Sequence, residues 1–257
     1  MTTSDEFFTT FMQNFKKYIT NKGGRPKRNP IERIRIKIFI FAVCKVANIK
    51  LVGYQLEQHF EPNKIKRKKD NTLNRPCKWD KYVNGEHTPS LETLSLIFNK
   101  YPEHDHLKEL FYSPLWDALA AGEHKSQYWL NIYQRLPLSL QQLLFKAKCV
   151  DGSPYQRKDI TDIKVEAILK HWNLYALTCL IAIFRENNSL NGNTRSLIEE
   201  AIFQLLISVS PSLVEHQFIE ELFLYIENHI IENQHYIIHY DDFSAPFDLI
   251  EKKYWHI

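Results

Sequence analysis

From Ile31 to Ile49 the chain reads IERIRIKIFIFAVCKVANI, a stretch whose fold constrains everything around it. Ile34, Ile36, Ile38 and Ile40 alternate with Arg33, Arg35 and Lys37, which is the period of a half-buried strand. Ile34, Ile38 and Phe41 fit the spacing of a helix equally well. Two features favour the helix. The stretch runs for about eighteen residues without a turn signal, and it is entered through Asn29-Pro30, with Asn placed to cap and Pro at the first helical position.

The rest of the chain points the same way. Only 7 Gly and 11 Pro in 257 residues supply too few turn residues for a strand-and-turn architecture. Hydrophobic residues at 44% and aromatics at 13% are enough for a packed core. The segment SDEFFTTFMQNFKKYI predicts an amphipathic helix capped by Ser4 within residues 1–21. A basic linker over 22–30 follows, then a region over 31–122, then an acidic bundle over 123–257, with the break at AAGEHK (Ala120 to Lys125). Shorter helices are expected at GYQLEQHF (Gly53 to Phe60), HDHLKELF and SPLWDALA, with a basic insertion over 61–76. In the second half YWLNIYQRL, LSLQQLLFKAK, DITDIKVEAILKHWNLYALTCLIAIF and TRSLIEEAIFQLLI all read as helices. PSLVEHQFIEELFLYIENHI completes the set, with Ser210 before Pro211 as its cap. The expected fold class is all-α.

Several functional classes fall away on composition. The start, MTTSDEFF, lacks the basic and apolar regions of a secretory signal. The longest uncharged apolar run, Trp172 to Phe184, is shorter than the roughly 18–20 residues that span a bilayer, and reads as a buried core helix. Cys44, Cys77, Cys149 and Cys179 have no CxxC spacing, which suits the reducing cytoplasm and offers no zinc site. The net charge of +3 hides a strong polarity. From Lys22 to Lys81 there are 17 Lys/Arg against 5 Asp/Glu, a net +12, and the remainder carries 16 against 25, a net −9. Such asymmetry sets up a local positive field that a polyanion can use.

The segment KWDKYVNGEHTPSLETLSLI, from Lys78, predicts two short helices held at a fixed angle. Asn84-Gly85 ends the first, and Thr88 caps the second with Pro89 at its first position. Trp79 and Tyr82 then share a core with Leu91, Leu94, Ile97 and Phe98. Over about residues 75–98 the chain resembles the helix-turn-helix domain of the lambda-repressor/Cro (XRE) family. Tyr82-Val83-Asn84-Gly85 and Pro89-Ser90-Leu91-Glu92-Thr93-Leu94 match its recognition helix and the helix after it. The resemblance implies a helix-turn-helix-like N-terminal region followed by a C-terminal helical bundle. It also implies base-facing positions at Arg75, Cys77 and Lys78, with Lys81 one turn on, and Arg75 as the residue for bidentate guanine contact. The insertion over 61–76 departs from that family, which joins the two helices by three or four residues.

Two basic arms accompany this motif. KIKRKK places five cations in six residues, Lys64, Lys66, Arg67, Lys68 and Lys69. GGRPKR, with Arg25, Lys27 and Arg28, resembles at Gly24-Arg25-Pro26 the core of an AT-hook, an extended segment that lies in the minor groove. The expected partner is double-stranded DNA, with a protein partner or self-association through the C-terminal bundle. The expected function is non-enzymatic DNA binding, as a regulator or as the DNA-targeting subunit of a larger system such as a mobile element or a phage-defence cassette. The alternatives are a helical protein–protein adaptor without DNA contact, and an RNA-binding protein. No phosphate-binding loop or nucleophile motif supports an enzyme, and no cofactor is expected. His235 and His239, four apart, are the candidates for a metal, and surface histidines explain the same letters.

Overall fold

The computed structural model describes residues 29–67, 69, 73–120, 122, 124–146, 157–186, 190–213 and 216–231. The helix expected over 1–21 and the hook-like segment with Arg25, Lys27 and Arg28 lie outside them. The ambiguous stretch is a helix, α1 (Pro30–Ala47). Its start is built as expected, with the Asn29 side chain accepting from the Ile31 N–H at 3.1 Å and Pro30 at the first turn. Its end is fixed by Asn48, which takes the left-handed conformation and turns its N–H towards the Cys44 and Lys45 carbonyls.

The alternating isoleucines have a packing explanation. Ile34 and Ile38, with Ile31 and Phe41, enter a large hydrophobic core, while Ile36 and Ile40, with Phe39, Val43 and Cys44, enter a smaller one. On a helix, residues four apart share a face and residues two apart lie nearly opposite. A period of two over eight residues therefore describes two opposite stripes, each buried. All four isoleucines are 3% exposed or less.

The smaller core is closed by α2 (Gly53–Phe60), α3 (Lys78–Val83), α4 (Leu91–Lys100) and α5 (Asp105–Phe111). Between α2 and α3 stand a single 3-10 turn (Pro62–Lys64) and a two-stranded antiparallel ribbon, β1 (Lys66–Arg67) and β2 (Leu73–Asn74). The larger core gathers α6 (Leu115–Ala118), α7 (Ser126–Tyr133), α8 (Leu138–Leu144), α9 (Asp162–Leu169), α10 (Leu174–Glu186), α11 (Gly192–Leu213) and α12 (His216–His229). The fold is all-α apart from the ribbon. No described helix is long and apolar enough to cross a membrane.

At the centre of the larger core, α10 is buried from Ala176 through Phe184, as the apolar run predicts. The segment before it is not continuous helix. Trp172 takes a positive φ of 46° and is exposed, and the Asn173 side chain caps the restart by accepting from the Ala176 N–H at 2.9 Å. Ser210 is likewise not a cap. It lies inside α11, which runs through Pro211 and ends two residues later, so the proline costs only a ladder bond in the last turn.

Beside the expected boundary, the described carbonyls of residues 118–120 and 122 are held by side chains of the bundle. Arg185 donates to the carbonyls of Ala118, Ala120 and Gly122 at 2.7, 2.6 and 2.9 Å, with its guanidinium 5.3 Å from the Trp129 ring centre. Tyr225 adds a hydrogen bond to the Leu119 carbonyl at 2.9 Å. The polar residues of α1 also reach outward. Arg33 donates to the Asn84 carbonyl at 3.1 Å, Arg35 to the Phe111 carbonyl at 3.0 Å, and Lys37 pairs with Glu221 on α12 at 2.5 Å.

The connection from α3 to α4 is built partly as expected. Asn84-Gly85 ends α3, with Gly85 at φ 68°. The cap of α4 is Ser90, not Thr88, its hydroxyl accepting from the Thr93 N–H at 3.2 Å. The helix consequently starts at Leu91, which is 76% exposed rather than buried, while Leu94 and Ile97 face the core. Gly85 is required twice over. Its φ favours glycine, and a Cβ there would lie 2.7 Å from the Arg33 carbonyl oxygen. Replacing Gly85 by Ala is therefore expected to cost at least about 2 kcal/mol in denaturant unfolding. A loss below about 0.5 kcal/mol contradicts the close approach of α1 to this turn.

Candidate nucleic-acid interface

The region that carries the sequence motif is organised around aromatic stacking. Phe60 at the end of α2 stacks on Trp79 of α3 with ring centres 5.0 Å apart, and Trp79 meets Tyr82 edge-on at 5.5 Å. Trp79 is fully buried and Tyr82 nearly so, as their spacing predicts. Gly53, the first residue of α2, lets the chain approach α3 so closely that a Cβ would lie 2.6 Å from the Asp80 backbone nitrogen. The short helix α3 is thus held on both flanks.

Three carboxylates fasten the ribbon to this base. Glu61 accepts from Lys64 at 2.6 Å, from Lys78 at 2.6 Å and from the Trp79 indole N–H at 2.9 Å. Its side chain is only 10% exposed. Burial works to raise its pKa, but the donors from Lys64, Lys78 and Trp79 outweigh burial together and hold the carboxyl down at about 2. Glu57, 1% exposed, pairs with Arg75 at 3.2 Å, and the other guanidinium nitrogen of Arg75 binds Asp80. Burial pushes the Glu57 carboxyl above its ordinary range, against the pull of Arg75. Arg75 also lies 5.7 Å from the Tyr54 ring centre.

These pairs bear on the residues that the resemblance assigns to base contact. Arg75 and Lys78 sit just before and at the start of α3, and both are bound to carboxylates. Freeing Arg75 would strand a buried Glu57, a loss of roughly 3–5 kcal/mol. A good bidentate contact to guanine is worth about 1–3 kcal/mol of discrimination. On those magnitudes Arg75 is held in place by its carboxylates. Cys77 is exposed, with a left-handed φ of 53°. Lys81 is exposed on α3 and makes no ion pair with a described carboxylate.

The remaining candidates divide in the same way. Lys66 on β1 and Lys69 are exposed and make no ion pair with a described carboxylate, whereas Lys64 is paired to Glu61. Arg67 contributes backbone to β1, and Lys68 lies outside the described residues, as do His235 and His239. Among the described residues no group of three or more His, Cys, Asp or Glu side chains could hold a metal. Sequence reasoning missed the acids. Of the five between Lys22 and Lys81, Glu32, Glu57, Glu61 and Asp80 all pair with a cation, and Asp70 is not described. A signal for two of them exists: Glu57 and Glu61 fall at the C-terminal end of α2, where the helix dipole disfavours a carboxylate unless a cation answers it.

Comparison with protein family models, curated proteins and solved structures found no match for this chain.

Glu61 gives a pH test of this network. Its folded pKa lies below the ordinary value of 4.5, so its contribution is fully present above about 4.5 and is lost as pH falls towards about 2. Glu61→Gln should therefore cost roughly 2–3 kcal/mol of unfolding free energy at neutral pH. The gap between variant and parent should close across that acid window. A gap that stays constant with pH assigns the stabilisation to something other than the ionised carboxylate.

Proposed function

We propose that the protein binds double-stranded DNA without catalysing a reaction on it, as a regulator or as the DNA-targeting subunit of a larger system such as a mobile element or a phage-defence cassette. The observation that carries this reading is the placement of Lys66, Lys69 and Lys81. All three are exposed and unpaired with any described carboxylate, in a stretch of chain whose described acids are already taken by other cations. Net positive charge in this region is therefore presented to solvent instead of being cancelled internally.

Capture is electrostatic in this reading. The segment Lys64 to Lys69 and the hook-like arm with Arg25, Lys27 and Arg28 neutralise phosphates and release counterions. By its resemblance to the lambda-repressor/Cro-like family, α3 is the element we assign to the side facing the duplex, and the aromatic stack of Phe60, Trp79 and Tyr82 supports that helix from beneath. The larger bundle, net acidic in sequence, repels the same polyanion and so orients the molecule with its basic third towards it. That bundle is also the surface we assign to a protein partner or to self-association.

An electrophoretic mobility shift with random-sequence duplex at low and moderate salt tests the reading. If six to eight cations meet phosphate, the logarithm of affinity falls against the logarithm of salt with a slope of about −5 to −7. Neutralising the five cations of Lys64–Lys69 makes the slope shallower by about 4. No shift at either salt concentration contradicts DNA binding and favours a helical adaptor.

A further inference from the structure

At the foot of the ribbon lies an open hollow of about 440 Å³, lined by Asn63, Lys64, Lys66, Asn74, Arg75 and Pro76. Its composition is selective. Three side chains are cationic, two are amides, and none is acidic. The ribbon register pairs Lys66 directly with Asn74, which puts their side chains on the same face. Lys64 is anchored by Glu61 and Arg75 by Glu57 and Asp80, so their positions are set before any ligand arrives. Arg75 commits one nitrogen to each of those carboxylates, and a guanidinium has five N–H donors.

We infer that this hollow seats the phosphodiester backbone of duplex DNA, and that the DNA contact is consequently made to phosphate and is independent of base sequence. The inference rests on the DNA-binding reading above and sharpens it. A phosphate carries only acceptor oxygens, and the hollow offers ammonium, guanidinium and amide donors. No carboxylate lines it, and those that hold Lys64 and Arg75 leave Lys66 and the remaining guanidinium N–H groups to a ligand. Base readout needs side chains free to reach into a groove. Here the two cations nearest the start of α3, Arg75 and Lys78, are tied down by Glu57, Asp80 and Glu61. The strands of the ribbon are two residues each, which gives it little length to lay along a groove. Fixed donors around a small polar hollow suit a repeating backbone group.

The test measures binding of the full chain to several unrelated duplexes of equal length by fluorescence anisotropy across a salt series. Asn74→Asp places a carboxylate in the hollow with almost no change of shape, and Lys66→Gln removes one cation. Both residues are exposed, so thermal unfolding of either variant should match the parent. The parent is expected to bind all the duplexes within about threefold of one another. Asn74→Asp should weaken every one of them about tenfold, and Lys66→Gln should make the salt slope shallower by about 1. If the parent binds DNA but Asn74→Asp binds within about twofold of it, the seat is wrong while DNA binding stands. If selection from a random pool yields a sequence preferred by more than about thirtyfold, sequence independence is wrong. A parent protein that binds no duplex removes the DNA-binding reading itself, and this inference with it.

Discussion

The structure depends on a helix that has no spare side. One stripe of α1 enters the larger core and the opposite stripe enters the smaller one. Full burial of a large aliphatic or aromatic side chain is worth roughly 1.5–3 kcal/mol, and α1 contributes nine buried residues, four to one core and five to the other. The positions left between the stripes are also occupied, since Arg33, Arg35 and Lys37 reach α3's end, α5's end and α12 respectively. The basic N-terminal region and the acidic bundle are therefore joined through the interior of α1, with α5 adding Leu110 to the larger core and Leu107 and Phe111 to the smaller one. The connecting segment near Ala120 adds to this, because Arg185 and Tyr225 bind its carbonyls from within the bundle.

That arrangement bears on function through rigidity. Under the proposed DNA-binding function, the cations must stay spread over a surface while they repel one another. Here the carboxylates Glu57, Glu61 and Asp80 do not cancel the charge so much as fix it, holding Arg75, Lys64 and Lys78 and leaving Lys66, Lys69 and Lys81 to solvent. The aromatic stack of Phe60, Trp79 and Tyr82 supplies the floor beneath them. Surface ion pairs contribute little to stability, but Glu57 and Glu61 are withdrawn from water, so their pairs are expensive to break and good at defining position.

Much of the fold was legible in the sequence, because most helices bury a single stripe, and α1, α4, α10 and α11 begin with a side-chain cap from Asn29, Ser90, Asn173 and Asn191. The limits of α2, the buried run in α10 and the inward placement of Trp79 and Tyr82 all followed from spacing alone. The stretch that resisted reading did so for a physical reason. Ile34, Ile36, Ile38 and Ile40 serve two cores in turn, and two buried stripes on a helix mimic the alternation of a strand. The break at Trp172 was hidden by apolar residues on either side of it, although Asn173 is the cap residue that a restart needs. In the candidate site the cations stood out as a run of letters, whereas the ribbon did not. Its paired residues, Lys66-Arg67 with Leu73-Asn74, contain no β-branched or aromatic residue, so nothing marks them as strand. The acids that position the cations were visible, and Lys64–Glu61 is a local pair, but Glu57 with Arg75 and Glu61 with Lys78 join residues eighteen and seventeen apart, which no local spacing marks.

The coupling of the two cores through α1 is the claim on which the rest stands, and native-state hydrogen exchange of an Ile38→Ala variant tests it most directly. Ile38 belongs to the larger core, and losing its side chain there should cost about 2–4 kcal/mol. If α1 is shared, the amides of α2, α3 and α4, which lie in the other core, lose protection by a comparable amount and the protein unfolds in a single transition. If those amides keep their full protection while only the bundle opens, the two cores are independent and the account is wrong.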